Sequence, residues 1–494
     1  MENTRCALFF AILGLTSALS SITFPFCENL KEHEMNLNFS NIGITRLKQS
    51  FVSNDFIKCL SLNSNGLSTI ESDAFEGLPN LEALDLSDNS LDLKKFLQSG
   101  EFTNFTTLIL DSAFKKPEEF GDPYEDYRDS TGYGDFYKLY RDLAGPTQWD
   151  LATGFFPKLQ KLSFSNYGTL DVQDWLENFE MVTNLTHLRL NANLLINSER
   201  FPTKLLQNLT HFWLDDNSMK TFVGQDSPKV RYLSMNKNEI KNICSFSCNN
   251  ISYNDQLSLH SMTELEYLSL VDNKIKSVDF DAFSNSVNLR TLNLAKNCIE
   301  AFPRETFKNA ISLESLRLDY NRLELVPDLC GLINLRELWI IGNRIKTVDE
   351  TSFCHLPKLS VISLQNNQLT IVAPQSFGNL PKLQTLDMSV NSLAQLSPGW
   401  SGPGSQILNL NLTQNKFQNI SDMPLEQLDH LQILTIERNP IKTLTIRSLS
   451  NLPPNTTIAF DCSCENNDLE TSTHPIQYPS GTIHYNPNLG IFYD

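Results

Sequence analysis

Four segments of this chain overlay with almost no adjustment: "LPNLEALDLSDNSL" from Leu78, "AISLESLRLDYNRL" from Ala310, "LPKLSVISLQNNQL" from Leu356 and "LPKLQTLDMSVNSL" from Leu380. Each follows L-x-x-L-x-L-x-x-N-x-L with conservative exchanges. With the second leucine as a marker, the series runs Leu37, Leu60, Leu84, Leu108, Leu162, Leu188, Phe212, Leu233, Leu268, Leu292, Leu316, Leu338, Ile362, Leu386, Leu410, Leu434 and Ile458. Most intervals are 24 residues. A fixed period of this length constrains the fold more than any composition does, because one unit cannot bury its own core whereas neighbours stacked on it can.

The positions within a unit have separate physical roles. The x-L-x-L-x stretch is a short strand whose period-2 alternation turns leucines inward and the x residues outward. The following Asn (Asn65, Asn89, Asn193, Asn217, Asn238, Asn273, Asn297, Asn321, Asn343, Asn367, Asn391, Asn415, Asn439) marks a turn inside the core. Its amide both donates and accepts, so stacked copies can satisfy buried backbone groups that water cannot reach. A pair such as Ala74-Phe75 or Ser376-Phe377 fills the far side. The period therefore predicts a leucine-rich repeat solenoid of about 17 repeats, fold class α/β.

From roughly Asn36 to Asp461 these motifs resemble the extracellular leucine-rich repeat family with typical 24-residue units. That family includes Toll-type receptor ectodomains, Slit-like proteins, small matrix proteoglycans and secreted invertebrate immune proteins. The resemblance implies a curved horseshoe with its parallel strands on the concave face, and it leaves the ligand open.

A formal charge of −18 and an isoelectric point near 4.9 speak against a general nucleic-acid or anionic-membrane binder. A local basic patch would have to work against that field. At the N-terminus Arg5, the apolar run Cys6 to Leu15 and the small residues Ala18 and Ser20 read as a secretory signal peptide over residues 1–20. No later stretch is apolar enough to span a bilayer. The expectation is a secreted, extracellular protein, with sequons at Asn38, Asn104, Asn184, Asn208, Asn250, Asn411, Asn419 and Asn455 as N-glycosylation candidates.

The period breaks once on a large scale. From Leu108 to Leu162 is 54 residues, and the interval holds "GDPYEDYRDSTGYGDFYKLY". Residues 115–156 read either as an excursion from the solenoid or as a heavily distorted unit, separating the N-terminal cap and first repeats (21–114) from the main array (157–461). Its carboxylates favour a basic partner. Tyr124, Tyr127 and Tyr133 are candidate contacts or sulfation sites, against the plainer reading of a solvated loop. A smaller excursion stretches the interval from Leu233 to Leu268.

Cys330 and Cys354 each precede a marker by eight residues, which stacks them in adjacent repeats at a separation a disulfide can span. Cys244 with Cys248, and Cys27 with Cys59, are further candidates, although Cys59 occupies an outward strand position. Cys462 and Cys464 open a C-terminal segment, 462–494, similar to the start of the family's cap but without the two later cysteines and the helix that normally follow. With the clustered cysteines before the first repeat also missing, standard caps are not expected.

No nucleophile-elbow, phosphate-loop or dinucleotide motif occurs, and "HEMNL" at His33 ends on the core residue Leu37 where a second zinc ligand would stand. The chain is therefore expected not to be an enzyme and to need no metal or cofactor. Outward strand positions fall one before, one after and three after each marker, and most are small and polar. Two groups depart from that rule: His187, Arg189, His211, Trp213, Tyr232 and Tyr267, and then Arg317, Glu337, Trp339, Ile341 and Val361. Trp, Tyr and Arg dominate protein-interface hot spots, so these are the candidate ligand-binding residues. The plainer alternative is that they lie across the sheet and cover it. The reading that follows is a soluble recognition protein binding an extracellular protein or glycan partner, innate-immune or receptor-modulating by resemblance. Its rival is a matrix or adhesion scaffold without a discrete ligand site.

Overall fold

The computed structural model describes residues 25–27, 30–71, 73–92, 96, 104–114, 156–167, 184–198, 201, 206–223, 227–244, 255–441, 452–453, 456–460, 481–486 and 490–493. Residues 1–20, the tyrosines of the acidic segment (Tyr124, Tyr127, Tyr133), Cys248, Asn250, Asn455 and the Cys462/Cys464 pair lie outside them. The chain divides into two compact units, Met1–Asn193 and Leu194–Asp494.

Every marker named above lies in a strand. In the first unit a parallel ladder runs Met35–Asn38, Ile57–Ser61, Ala83–Asp85, Thr107–Ile109, Lys161–Ser163, His187–Arg189. The register pairs marker with marker: Leu60 with Leu84, Leu84 with Leu108 and Leu108 with Leu162. Across the long interval Thr107–Ile109 and Lys161–Ser163 are direct neighbours in the ladder; the acidic stretch itself lies outside the described residues.

The second unit has a parallel ladder, also in marker register, from His211–Trp213 through Tyr232–Ser234, Tyr267–Ser269, Thr291–Asn293, Ser315–Arg317 and Glu337–Trp339 to Asn409–Asn411, Ile433–Thr435 and Thr456–Phe460. The smaller excursion returns a strand of its own. Gln256–Ser258 inserts between Phe222–Val223 and Asn242–Cys244 in a separate four-stranded sheet that ends at Ser277–Val278. At its far end the ladder turns antiparallel. Thr456–Phe460 pairs with Gly481–Asn486, which pairs with Gly490–Tyr493. A hairpin thus covers the last repeat's open edge.

Two columns hold the units together. From Leu60 onward the markers are fully buried, each contributing about 2 kcal/mol of apolar transfer. The asparagines form the second column. Asn321 Nδ2 donates to the carbonyls of Leu318 (3.1 Å) and of Leu294 in the preceding repeat (2.9 Å), while its Oδ1 accepts from Ile299 N–H at 3.0 Å. Asn367 repeats the pattern with Leu364, Ile340 and Ile345. Far-side aromatics stack in register as well, Phe283 on Phe307 at 5.8 Å and Phe353 on Phe377 at 5.4 Å.

One regularity lies outside the leucine template. The residue four past the marker adopts a left-handed backbone in repeat after repeat: Ser64, Asp88, Asp216, Asp272, Lys296, Tyr320, Gly342, Asn366 and Arg438 all have φ between 52 and 67°. Each strand ends by reversing there, immediately before the Asn that anchors the turn.

Cys27–Cys59 and Cys330–Cys354 are bridged, with Cα separations of 6.0 and 5.3 Å. Cys59 is on an outward strand position but buried, covered by its own bridge. Cys244 is also disulfide-bonded, and Cys298 is the one free cysteine among the described residues. Asp328, Cys330 and Cys354 bring ligand-type atoms within 4.8 Å of one another, but the bridge consumes both thiolates and leaves no metal-binding set.

Candidate functional site

The parallel register places residues at the same repeat position side by side along the ladder. His211 therefore neighbours Tyr232, and Tyr232 neighbours Tyr267. The three rings stack: His211 on Tyr232 with centroids 5.8 Å apart, and Tyr232 on Tyr267 at 4.3 Å with planes only 7° apart. Trp213, two residues on in the same strand as His211, lies 5.8 Å from that imidazole and 5.3 Å from Tyr232. Strand spacing of about 4.8 Å is close to aromatic stacking distance, so adjacent aromatics on one column stack without distortion.

Stacking changes what these side chains offer. Tyr232 and Trp213 are only 4 and 5% exposed, and His211 and Tyr267 are half-buried. Tyr232 is stacked on both faces, by His211 and by Tyr267, so its ring is covered within the column. Burial, ahead of the neighbouring Tyr267, pushes the Tyr232 phenol well above its ordinary pKa. Beneath the column runs a polar ladder. Asp215 accepts from Ser234 Oγ (2.6 Å) and Asn236 N–H (2.7 Å), and Asn236 Oδ1 accepts from Ser269 Oγ (2.6 Å).

His187 and Arg189 belong to the first unit, the other four members of that predicted group to the second. Thr186 Oγ1 lies 3.1 Å from the Gln160 carbonyl and 2.9 Å from His187 Nδ1, holding the imidazole in place. Arg189 approaches Asp111 at 3.8 Å. The sequon threonine Thr210 orients His211 in the same way, with Oγ1 and Nδ1 2.9 Å apart.

In the second group the structure brings Arg317 and Trp339 together as register partners, the guanidinium carbon 4.8 Å above the indole centroid. Trp339 itself is buried at 4% exposure. Glu337 accepts from Ser315 Oγ at 3.3 Å. Below Arg317, Asp319 is buried and accepts one backbone bond, from Ile341 N–H at 2.9 Å, with the Arg317 Nε 4.0 Å away. Burial outweighs both and raises the Asp319 carboxyl to a pKa of about 6. Val361 is buried, and Ile341 is half-exposed at the strand's end.

Sequence reasoning missed Tyr320. It occupies the left-handed position four past Leu316, φ 54°, and is 52% exposed. Its N–H donates to the Ile341 carbonyl at 2.6 Å, and its ring lies flat against Gly342, where a Cβ would meet ring carbons at 2.6 and 2.9 Å. The signal was present: a tyrosine at a mostly polar position, followed one repeat later by the glycine that makes room for it.

The sequons divide by environment. Asn104 and Asn184, at the same repeat position, are exposed and donate Nδ2 weakly (3.4 Å) to a carbonyl of the previous repeat. Asn208, also four before its marker, is half-buried with Lys229 Nζ on its Oδ1 at 2.8 Å. Asn38 and Asn419 are exposed. Asn411 is buried on the strand face, its Nδ2 donating to Asp387 at 3.1 Å, so a glycan there would require breaking that contact.

Among known families, the one described as Leucine rich repeat matches residues 33–93, 245–323 and 333–393. The chain is a leucine-rich repeat protein, similar to Toll-type ectodomains. Toll, from a solved complex with Spatzle of Drosophila, is 21% identical with a TM-score of 0.50. That match covers 63% of this chain and spans 41% of the Toll chain. A leucine-rich repeat protein of Leptospira interrogans is 20% identical with a TM-score of 0.51, covering 83% of this chain and 91% of its own. No curated protein matches the sequence significantly. At these identities the likeness is one of fold. No helix among the described residues is long and apolar enough to cross a membrane.

Proposed function

We propose that this protein is secreted and recognises an extracellular protein partner through the outward strand face of its second unit, in an innate-immune or receptor-modulating role. The observation that carries the reading is the aromatic column His211–Tyr232–Tyr267 with Trp213: four interface-type side chains from three consecutive strands on one face of a repeat built for binding. Ring faces packed on one another suit a protein surface better than a glycan, which stacks on open faces. Toll, a neighbour of the same fold, is described in complex with the protein Spatzle as a hub of development and innate immunity. Half-buried Tyr267 and His211 present edges and hydrogen-bonding atoms to such a partner, while Tyr232 and Trp213 hold them in place.

The test is capture by cross-linking from native extracellular fluid, followed by affinity measurement with the purified captured protein. Tyr267→Ala is expected to weaken that affinity at least about tenfold, of the order a hot-spot truncation costs. Unchanged affinity would mean that the column only covers the sheet. Failure to capture any saturable partner would favour the scaffold alternative. Sequencing the mature N-terminus of the expressed full chain tests secretion, with cleavage after Ser20 expected.

A further inference from the structure

The chain's net charge of −18 hides a local reversal. In the repeats marked by Leu268, Leu292, Leu316 and Leu338, the segments four to eight past the marker read DNKIK, KNCIE, YNRLE and GNRIK. They hold six basic residues (Lys274, Lys276, Lys296, Arg322, Arg344, Lys346) against three acidic ones (Asp272, Glu300, Glu324). These segments stack on one another along the edge where the chain leaves the strands. Asp272 N–H donates to Ala295 O, Lys296 N–H to Asp319 O, Tyr320 N–H to Ile341 O and Arg344 N–H to Leu323 O.

Lys274 pairs with Glu239 at 2.8 Å and Arg322 with Glu300 at 3.7 Å. Lys276, Lys296, Arg344 and Lys346 are exposed and form no ion pair among the described residues. Tyr320, flat on Gly342 and beside half-exposed Ile341, lies within this edge, and Arg317 on Trp339 lies at its strand side. Tyr320 keeps a strained left-handed backbone at a position where most other repeats place Asn, Asp, Ser or Lys.

We infer that this edge, from Lys274 to Lys346, is a docking surface for an acidic segment of a partner protein, with Tyr320 as its apolar anchor and Lys276, Lys296, Arg344 and Lys346 as the cations that receive carboxylates. The inference rests on reading the chain as a protein-recognition solenoid but uses a surface other than the aromatic column. Unpaired cations on an otherwise acidic molecule select acidic partners by complementarity, because basic ones are drawn elsewhere on the surface. The exposed tyrosine distinguishes a protein segment from a purely anionic polymer, to which it adds little.

Fluorescence anisotropy with the full secreted chain tests this, using two short labelled peptides. One alternates glutamate with tyrosine and leucine, and the other carries lysine at every glutamate position. The acidic peptide should bind at least about tenfold tighter at low salt, and raised salt should reduce that margin. Arg344→Glu with Lys346→Glu should abolish the preference, and Tyr320→Asn should weaken acidic-peptide binding several-fold. Asn is the natural residue at that position in other repeats, so the variant folds. Lys382→Glu, a single charge reversal before a strand rather than after it, should leave the preference intact.

Equal binding of both peptides overturns the assignment, as does a preference that survives the double reversal. A heparin hexasaccharide that binds the wild type and Tyr320→Asn equally, and more tightly than the acidic peptide, would also overturn it in favour of an anionic glycan. Loss of partner capture through Tyr267→Ala does not enter this readout, so the two readings fail separately.

Discussion

Two stretches of the second unit carry interface-type residues on neighbouring repeats and put them to different use. In strands His211–Trp213, Tyr232–Ser234 and Tyr267–Ser269 the aromatics fall on one column and stack ring on ring, so each covers its neighbour. Around strands Ser315–Arg317 and Glu337–Trp339 one aromatic is covered and another is left open. Trp339 is buried under Arg317, and Tyr320 finds only the bare backbone of Gly342 beside it. The first arrangement uses aromatic surface for packing and the second leaves it exposed. Residue type alone therefore does not identify a binding surface on a solenoid; the neighbour one repeat away decides.

This contrast can be broken most decisively at Tyr232. If the column packs itself, Tyr232→Ala removes a buried stacked ring and should cost about 3 kcal/mol, read as a fall in the denaturant midpoint. A loss below about 0.5 kcal/mol would show that the column contributes little to packing.

Asp319 gives the next largest effect. Its carboxyl is raised from 3.8 to about 6, so between those values the folded chain holds a proton that the unfolded chain has released. Stability on this account falls as pH rises through that window. Asp319→Asn keeps an acceptor for Ile341 N–H and removes the buried charge. It should gain up to about 3 kcal/mol at pH 7, because each pH unit between the two values is worth about 1.36 kcal/mol, and the gain should vanish toward about pH 4. A gain that does not change with pH would rule out the buried charge as its source.

Gly342→Ala should lose about 1–2 kcal/mol, from its φ of +67° and from the methyl's clash with the Tyr320 ring. In a Tyr320→Asn background roughly half of that loss should disappear, and additive losses would separate the two residues. Smallest of all, Tyr320→Asn should change stability by no more than about 0.5 kcal/mol, toward the more stable side, because Asn tolerates the left-handed backbone better. A clear loss instead would make Tyr320 a packing residue, and the two regions would no longer differ.

Much of this molecule was legible before any coordinates. The markers, the asparagine column and the bridge at Cys330–Cys354 follow from a period, because a stacked repeat has to place equivalent residues side by side. His211, Trp213, Tyr232 and Tyr267 could be assigned to the outward face by strand alternation alone. Their burial could not, since it depends on which rings meet across strands up to 35 residues apart.

Where the period breaks, only pairing decided the outcome. Leu108 lies directly against Leu162 across the long interval, Gln256–Ser258 joins a second sheet, and antiparallel strands close the C-terminal edge. Sequence by itself determined the repeat, the inward and outward sides, and the amide chemistry of the turns, all properties that every unit shares and that local alternation enforces. Tertiary structure alone decided which outward side chains remain available, placing Tyr320 in the open and Tyr232 under its neighbours, because exposure is set by the size of what stands one repeat away.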